Sequence, residues 1–417
     1  MQRPLLSLTL LGLLSSVAAA QAPDPTAPQP PTEAPPATDP PVSSTTPASP
    51  AEGVQPPAPT EKPAEPKADK PAEPPGPTKL AVGKDGQGRI QPGILAQGWY
   101  VLDRNGGKTT TSTFRLRRAE ISVKGEILPK KVGVQIMIDP AKVRESTATT
   151  LTDSGGDTVT VQQPAASLSI LQDFYITFLS QYADVSVGQF KIPVSWEGYN
   201  SSAKIIMPER ALISSLFGDK RDLGVRIAKT WKKFGYSAGI FNGQGANNLD
   251  TNIQKDLALR LEVYPVDGLT LAAVTYDSVG VRDKAGTKDR QELDARYEKD
   301  GILAQAEYIR ARDIGADGAD AVTAQGFYAA LGYTIKNKDL GGDLQPVVRV
   351  GYVDPNVDAD VDPTTSKGND ERWHYDVGLN YYLKAHEMKL QASYQRIQFD
   401  TNTPNVNEII VAAQVNY

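Results

Sequence analysis

The chain has 417 residues, no cysteine, 44 Lys and Arg against 49 Asp and Glu, and 32 prolines. Without cysteine it has neither disulfides nor thiolate metal ligands. From residue 79 onward 40 basic residues face 41 acidic ones, which excludes the basic excess of a nucleic-acid-binding surface.

Residues 1–20 read as a secretory signal: Arg3 supplies the charge, Leu5 to Val17 the apolar run, and Ala18-Ala19-Ala20 a small-residue cleavage site. The run is shorter than the about 20 residues a membrane helix needs. No later stretch is long and apolar enough for one either. Residues 21–78 hold 20 of the prolines, with 8 acidic residues against 3 lysines. Such a segment has too little apolar surface to form a core and favours extended polyproline II, so a disordered, stiff arm is expected. At 3.1 Å per residue it would reach roughly 150–180 Å. It is either an inert linker or a periplasmic arm that touches the cell wall or another envelope protein.

Residues 79–417 are expected to be a single barrel domain, because a period-two alternation recurs through them. Val132, Val134, Ile136 and Ile138 alternate with Gly133, Gln135 and Met137; Leu257, Leu259, Leu261 and Val263 with Ala258, Arg260 and Glu262. Trp373 to Tyr381 and Met388 to Tyr394 repeat the pattern, as one-faced strands do. Sixteen such segments can be counted. Connections after even-numbered strands are short: Pro129-Lys130, Lys232-Lys233 and Asp300-Gly301 are examples. Those after odd-numbered strands are mostly longer and rich in Gly, Asp, Thr and Asn: 103–112, 140–167, 193–220, 244–254, 278–288, 311–324 and 354–370. Short turns at one rim and long loops at the other are the signature of an outer-membrane barrel, and a soluble sandwich gives no reason for it. Trp231, Tyr264 and Tyr333 near the short turns, and Trp99, Tyr276, Tyr352 and Trp373 toward the long loops, predict two aromatic girdles. The chain ends on a one-faced strand, Ile409 to Tyr417. The fold class is therefore all-β, a 16-stranded antiparallel transmembrane β-barrel around a water-filled lumen.

The stretch 193–220, the third long connection, carries a short helix signal at Pro208-Glu209-Arg210-Ala211-Leu212. Leu212 with Leu216 and Ile213 with Phe217 sit four apart on an apolar face. Packed on the inner wall, that face would leave Lys204, Glu209 and Arg210 toward the passage.

Two motifs suggest chemistry and fail on context. Gly235-Tyr236-Ser237-Ala238-Gly239 matches a nucleophile elbow, but its neighbours continue a strand and nothing marks His374 or His386 as a partner. Asp358, Asp360 and Asp362 resemble half a calcium loop, yet Pro363 stands where Gly is required and the distal Glu is missing. No catalytic, metal or cofactor site is expected. Parity places Arg118, Lys124, Arg226, Arg260, Arg296, Arg349 and Lys389 inward, with Glu120, Glu126, Asp222, Asp256, Glu262, Glu292, Asp294, Glu298, Glu307 and Asp376. Seven positive against ten negative gives no anion bias by count, and selectivity rests on which charges ring the narrowest point.

Phe114-Arg115-Leu116-Arg117-Arg118-Ala119, Val187-Gly188-Gln189-Phe190-Lys191-Ile192-Pro193 and Pro208-Glu209-Arg210-Ala211 carry a resemblance to the phosphate-selective porin O and porin P family. Arg221-Asp222-Leu223-Gly224-Val225, Arg260-Leu261-Glu262-Val263-Tyr264-Pro265 and Gly378-Leu379-Asn380-Tyr381-Tyr382-Leu383 extend it over most of 93–417. The resemblance implies a trimeric porin whose third extracellular loop folds into the lumen. It also implies an anion site built from the Arg-Arg-Ala stretch and the loop, for which Arg117, Arg118, Lys191 and Arg210 match by position. Strict alternation puts Arg118 inward and Arg117 outward unless the strand twists or bulges; the side of Lys191 stays open. Lys204 and Arg226 complete the candidates.

The expected protein is an outer-membrane porin that passes small hydrophilic solutes passively, with a preference for anions such as phosphate. Its surroundings would be outer-membrane lipid and lipopolysaccharide, with no nucleic-acid partner. The alternatives are an unselective or cation-preferring pore, and a structural anchor whose arm holds the cell wall.

Overall fold

The computed structural model describes residues 79–417 except 84–85, 145, 153–157, 165–169, 280–285, 315–320, 338, 358–370 and 401–403. The expected signal sequence, the Pro-rich arm and the Asp358–Asp362 acidic loop lie outside the described residues.

Sixteen strands follow one another around a ring: β1 (Gly88–Asn105), β2 (Lys108–Leu128), β3 (Val132–Ile138), β4 (Leu171–Phe178), β5 (Asp184–Lys191), β6 (Arg221–Thr230), β7 (Phe234–Phe241) and β8 (Lys255–Val263). The second half is β9 (Leu269–Val279), β10 (Lys288–Lys299), β11 (Ile302–Asp313), β12 (Val322–Tyr333), β13 (Asp343–Asp354), β14 (Arg372–Lys384), β15 (Met388–Phe399) and β16 (Val406–Asn416). Each pairs antiparallel with the next, and β16 returns to β1 with Ile410 opposite Val101 and Gln414 opposite Gln97, so the sheet closes and has no free edge in the ring. A short strand, Leu80–Val82, lies on the start of β1, and the second long connection carries a hairpin, Ser146–Thr152 with Thr158–Pro164.

The period-two pattern translates into an inverted distribution of polarity. On β8 the outer residues Leu257, Leu259, Leu261 and Val263 are 38–50% exposed, while Ala258 and Arg260 on the other face are 3% and 1% exposed. The same holds on β14, where Trp373, Tyr375, Val377 and Leu379 are exposed and His374, Asp376 and Asn380 are buried. A water-soluble protein would bury the first set. Here the apolar set is presented outward, as a barrel in lipid requires.

Three expectations change. Residues 103–112 are not a loop, because β1 and β2 run on to a two-residue turn at Gly106-Gly107, with φ of 53° and 83°. Two consecutive positive φ values need residues without a Cβ penalty, and the Gly pair supplies them. Trp99 and Tyr276 do not join the outer girdle. They pair across the sheet with Ala412 and Arg290 on its inner face and are 3% and 5% exposed. Tyr264 also turns its hydroxyl inward, donating to the Glu262 carboxylate at 2.6 Å. Trp231, Tyr333 and Trp373 do face out.

Candidate pore constriction

The third loop, between β5 and β6, folds into the lumen. It contains α1 (Trp196–Tyr199), a 3-10 turn (Ser202–Lys204) and α2 (Leu212–Phe217). The helix therefore begins after the Pro208–Ala211 stretch, which leads into it with Ala211 as an uncapped N-cap. Ile206, Met207, Ala211 and Ile213 pack on Leu303, Ile309, Tyr328, Ala330, Val347 and Val353 of β11–β13, with Leu212 and Phe217 at the edge. Leu216, expected on that face, is 41% exposed instead. Full burial of a side chain such as Ile213 stabilises the docked loop by about 2 kcal/mol.

Polar groups of the wall secure the rest. The backbone N–H of Ser195 donates to Glu292 at 2.6 Å, that of Trp196 to Glu307 at 2.9 Å, and the Ser214 hydroxyl to Glu307 at 3.0 Å. Glu197, fully buried in the loop, accepts the Ala211 N–H at 2.7 Å and lies 3.7 Å from Arg349. Burial pushes its carboxyl above the usual range, and the Arg349 guanidinium pulls it partly back. On the far side the loop's carbonyls are taken up by Gln414 (to Ala203), Lys389 (to Ile205), and Asn380 and Gln391 (to Ile206). These partners sit on β10, β11 and β13–β16. The loop thus seals that side of the lumen, with the wall taking up these backbone groups and the Ser214 hydroxyl.

Opposite, the passage runs between the loop and β1–β6. At the loop's return, Asp219 adopts φ 51° and its carboxylate meets Lys191 at 3.0 Å, Arg210 at 2.9 Å and Arg221 at 3.7 Å. Burial alone would raise the Asp219 carboxyl. The three cations more than offset it and hold it well below the carboxylate range. Arg221 also pairs with Asp173 at 2.7 Å. The two legs of the loop touch here at the backbone: a Cβ on Gly218 would lie 2.3 Å from the Ser195 Cβ, and one on Gly198 would lie 2.3 Å from the Asp219 nitrogen.

A second ion cluster joins the loop to β2. Glu209 binds Arg117 at 2.8 Å and Arg118 at 3.5 Å. Neighbouring residues of a regular strand cannot share a face, and the register gives the reason. Gln97 pairs with Arg118, and Gly98 with Leu116, so Arg117 is the extra residue of a β-bulge. Both guanidiniums therefore reach the lumen side. Burial would raise the Glu209 carboxyl, but Arg118 and Arg117 lower it to about 2.

A cavity of about 770 Å³ lies on the short-turn side of the loop and one of about 550 Å³ on the long-loop side. Arg221 lines both, with Lys191 in the first and Asp219 in the second, so this ion cluster stands where they meet. The first is lined by five basic side chains (Lys124, Lys191, Arg221, Arg226, Lys384) against three acidic ones (Glu120, Asp173, Glu387). The second has five (Lys142, Lys220, Arg221, Lys288, Arg290) against two (Asp219, Asp222).

The sequence candidates separate accordingly. Lys191 lies at the junction, also donating to the carbonyls of Gly198 and Asn200 at 2.7 and 2.8 Å. Arg226 lines the lower cavity, stacked 4.6 Å from the Phe190 ring and donating to Tyr199 at 3.2 Å. Arg117 and Arg118 meet the loop through Glu209. Lys204 is exposed at the end of the 3-10 turn. Arg210, expected toward the passage, is instead 3% exposed, donating to the Glu197 carbonyl at 2.8 Å and the Ser202 hydroxyl at 3.0 Å. Asp219, Arg221 and Asp173 were not among the candidates. The Asp219-Lys220-Arg221-Asp222 charge run at the loop's return, and for Arg221 the motif it opens, were the signals for the first two; nothing in the sequence marked Asp173.

A family model described as phosphate-selective porin O and P matches residues 96–302, and one for the outer membrane protein beta-barrel domain matches residues 262–417. No curated protein matches the chain. Among solved structures, the outer membrane channel DcaP of Acinetobacter baumannii superposes with a TM-score of 0.55 at 14% identity, covering 81% of this chain and 100% of that one. OmpF of Salmonella typhi, solved with daunomycin, gives 0.55 at 11% identity with the same coverage. An anion-selective porin from Comamonas acidovorans gives 0.51 at 9% identity, covering 79% and 100%. At these identities the likeness is one of fold. Closed barrel, inward loop and the two model matches together make the chain an outer-membrane porin that carries, over residues 96–302, the sequence pattern of the phosphate-selective porins O and P.

Proposed function

We propose that this porin is a passive channel that favours small hydrophilic anions, phosphate among them, over cations. The observation that carries the reading is the basic excess of both cavities that meet at the third loop, five to three and five to two. The whole inner wall shows no such excess, but most of its acids are engaged. Glu292 and Glu307 hold the loop, Asp376 holds Arg349 at 2.7 Å, and Glu262 and Asp294 hold Arg260 at 2.7 and 2.8 Å. A permeant ion meets instead the charges that line the two cavities. Lys191, Arg221 and Arg226 are the proposed anion contacts, with Arg117 and Arg118 setting the potential above them. Ser237 sits mid-strand on β7 rather than on a strand-to-helix turn, which supports a channel over a hydrolase. The protein is further proposed to assemble as a homotrimer, with residues 21–78 as a periplasmic arm.

Reversal potential across a planar bilayer with a KCl gradient tests the reading. The full-length protein should give an anion-selective value, and Arg226→Ala together with Lys124→Ala should move it toward zero. A cation-selective value overturns the proposal.

A further inference from the structure

The cavity on the long-loop side differs in kind from the one below it. Its floor is apolar: Ile192, Val194 and Phe217 line it, and the first two are backed by Phe190, Phe241 and Tyr276. Its cations are unequally engaged. Lys288 donates to the Gly243 carbonyl at 2.8 Å, and Arg290 binds Asp313 at 2.9 Å while lying 4.9 Å from the Phe217 ring. Lys142 and Lys220 line the same cavity and neither is in an ion pair among the described residues; Lys220 makes only a 3.4 Å contact to the Ser215 carbonyl. Burial, reinforced by Arg290 and Lys142 and only partly offset by Asp219, lowers the Lys220 ammonium from its ordinary value. Two ammonium groups without an ion-pair partner among the described residues, one of them the exposed Lys220, beside an apolar floor are stabilised by an anion that covers the floor as it neutralises them. Bare phosphate can do only the second.

We infer that this vestibule binds organic anions with a ring-sized apolar body, such as aromatic carboxylates or phosphate esters, their charge on Lys142 and Lys220 and their ring over Ile192 and Val194. The inference rests on the anion-channel reading and specifies its substrate class. The volume of about 550 Å³ suits a ligand of this size. A solute held there sits one step above the Lys191–Asp219–Arg221 cluster, so the vestibule concentrates it at the entrance to the narrow point.

The test is block of the KCl current through the full-length protein by isophthalate or inorganic phosphate, added on the long-loop side. Isophthalate should reach half-block at about a tenfold lower concentration, the gain from covering part of one ring's apolar surface. Lys142→Gln with Lys220→Gln should raise its half-blocking concentration about tenfold, as two charge-assisted contacts are lost. Ile192→Thr with Val194→Thr should close the gap between the two anions and leave the phosphate value in place, which also shows that the barrel is intact. Equal block by both anions in the unmodified protein, or a gap that survives the threonine pair, overturns the inference. If the reversal potential is still anion-selective in that case, the vestibule alone is lost; a cation-selective potential removes the channel reading as well.

Discussion

Asp219→Asn tests whether the solute path runs past the junction of the two cavities. Asn is the substitution of choice because it tolerates the left-handed backbone that Asp219 adopts at φ 51°. The three cations around the carboxylate keep other partners. Lys191 retains the carbonyls of Gly198 and Asn200, Arg210 the Glu197 carbonyl and the Ser202 hydroxyl, and Arg221 the Asp173 carboxylate. The loop should therefore stay docked, and the change reduces to one negative charge removed from the passage wall. An ion passing about 5 Å from that charge in water-like surroundings feels about 0.8 kcal/mol. The sign is opposite for chloride and potassium, so the anion-to-cation permeability ratio should rise on the order of tenfold at low salt. The gain should shrink as the Debye length falls from about 10 Å at 0.1 M to about 3 Å at 1 M. Reversal potentials at two ionic strengths measure both effects. A ratio that stays the same or falls would mean that ions bypass Asp219, and the junction would have to be sought elsewhere.

Two further outcomes follow from the same geometry. The Glu209 carboxyl, held at about 2 against an ordinary 4.5, ties the loop to Arg117 and Arg118. A depressed carboxylate contributes fully above its unfolded value and is lost as pH falls through the folded one. Conductance and selectivity should thus stay flat from pH 7 to about 5 and change between about 4.5 and 2, with part of that change absent in Glu209→Gln. An identical acid profile in the variant would remove Glu209 from the loop's attachment. Gly218→Ala places a Cβ 2.3 Å from the Ser195 Cβ and 2.8 Å from the Ser214 carbonyl oxygen, forcing the loop's legs apart. It should cost about 1–3 kcal/mol and give a noisier current with a lower unfolding temperature; a quiet, fully stable channel would show that the legs need not touch.

The barrel was legible because its two signals are redundant. Alternation sets the faces, and loop length tracking strand parity sets the rims, so an error in one is caught by the other. The errors that remain lie where alternation carries no information. Trp99 and Tyr276 are aromatic at the right height for a girdle, and only cross-strand register shows that they face the lumen. A Gly-Gly pair inside a Thr-rich stretch looks like loop, and makes a tight hairpin. The constriction was legible in part. Pro208–Phe217 announced a docked element, but a short apolar face does not say that α2 would begin only at Leu212 or leave Leu216 exposed. Arg210 was misplaced because a charged residue beside an apolar face reads as solvent-facing. The Glu197 carbonyl and the Asp219 carboxylate that hold it are 13 and 9 positions away in sequence. Counting wall charges left selectivity open for a related reason: the count cannot tell acids that hold a loop from acids that meet a solute.

The extra residue at Arg117 has a meaning beyond its contacts. A strand in this wall has two readers, lipid on one side and solute on the other, and ordinary substitution can address only the positions that already belong to one of them. Insertion of a single residue escapes that rule. Removing Arg117 in thought leaves Arg118 opposite Gln97 and Leu116 opposite Gly98, with every other side chain on the face it now occupies. The residue is thus an addition written between two unchanged halves of a strand. A barrel that tolerates such additions can raise the charge density of its bore one step at a time while its membrane surface stays the same.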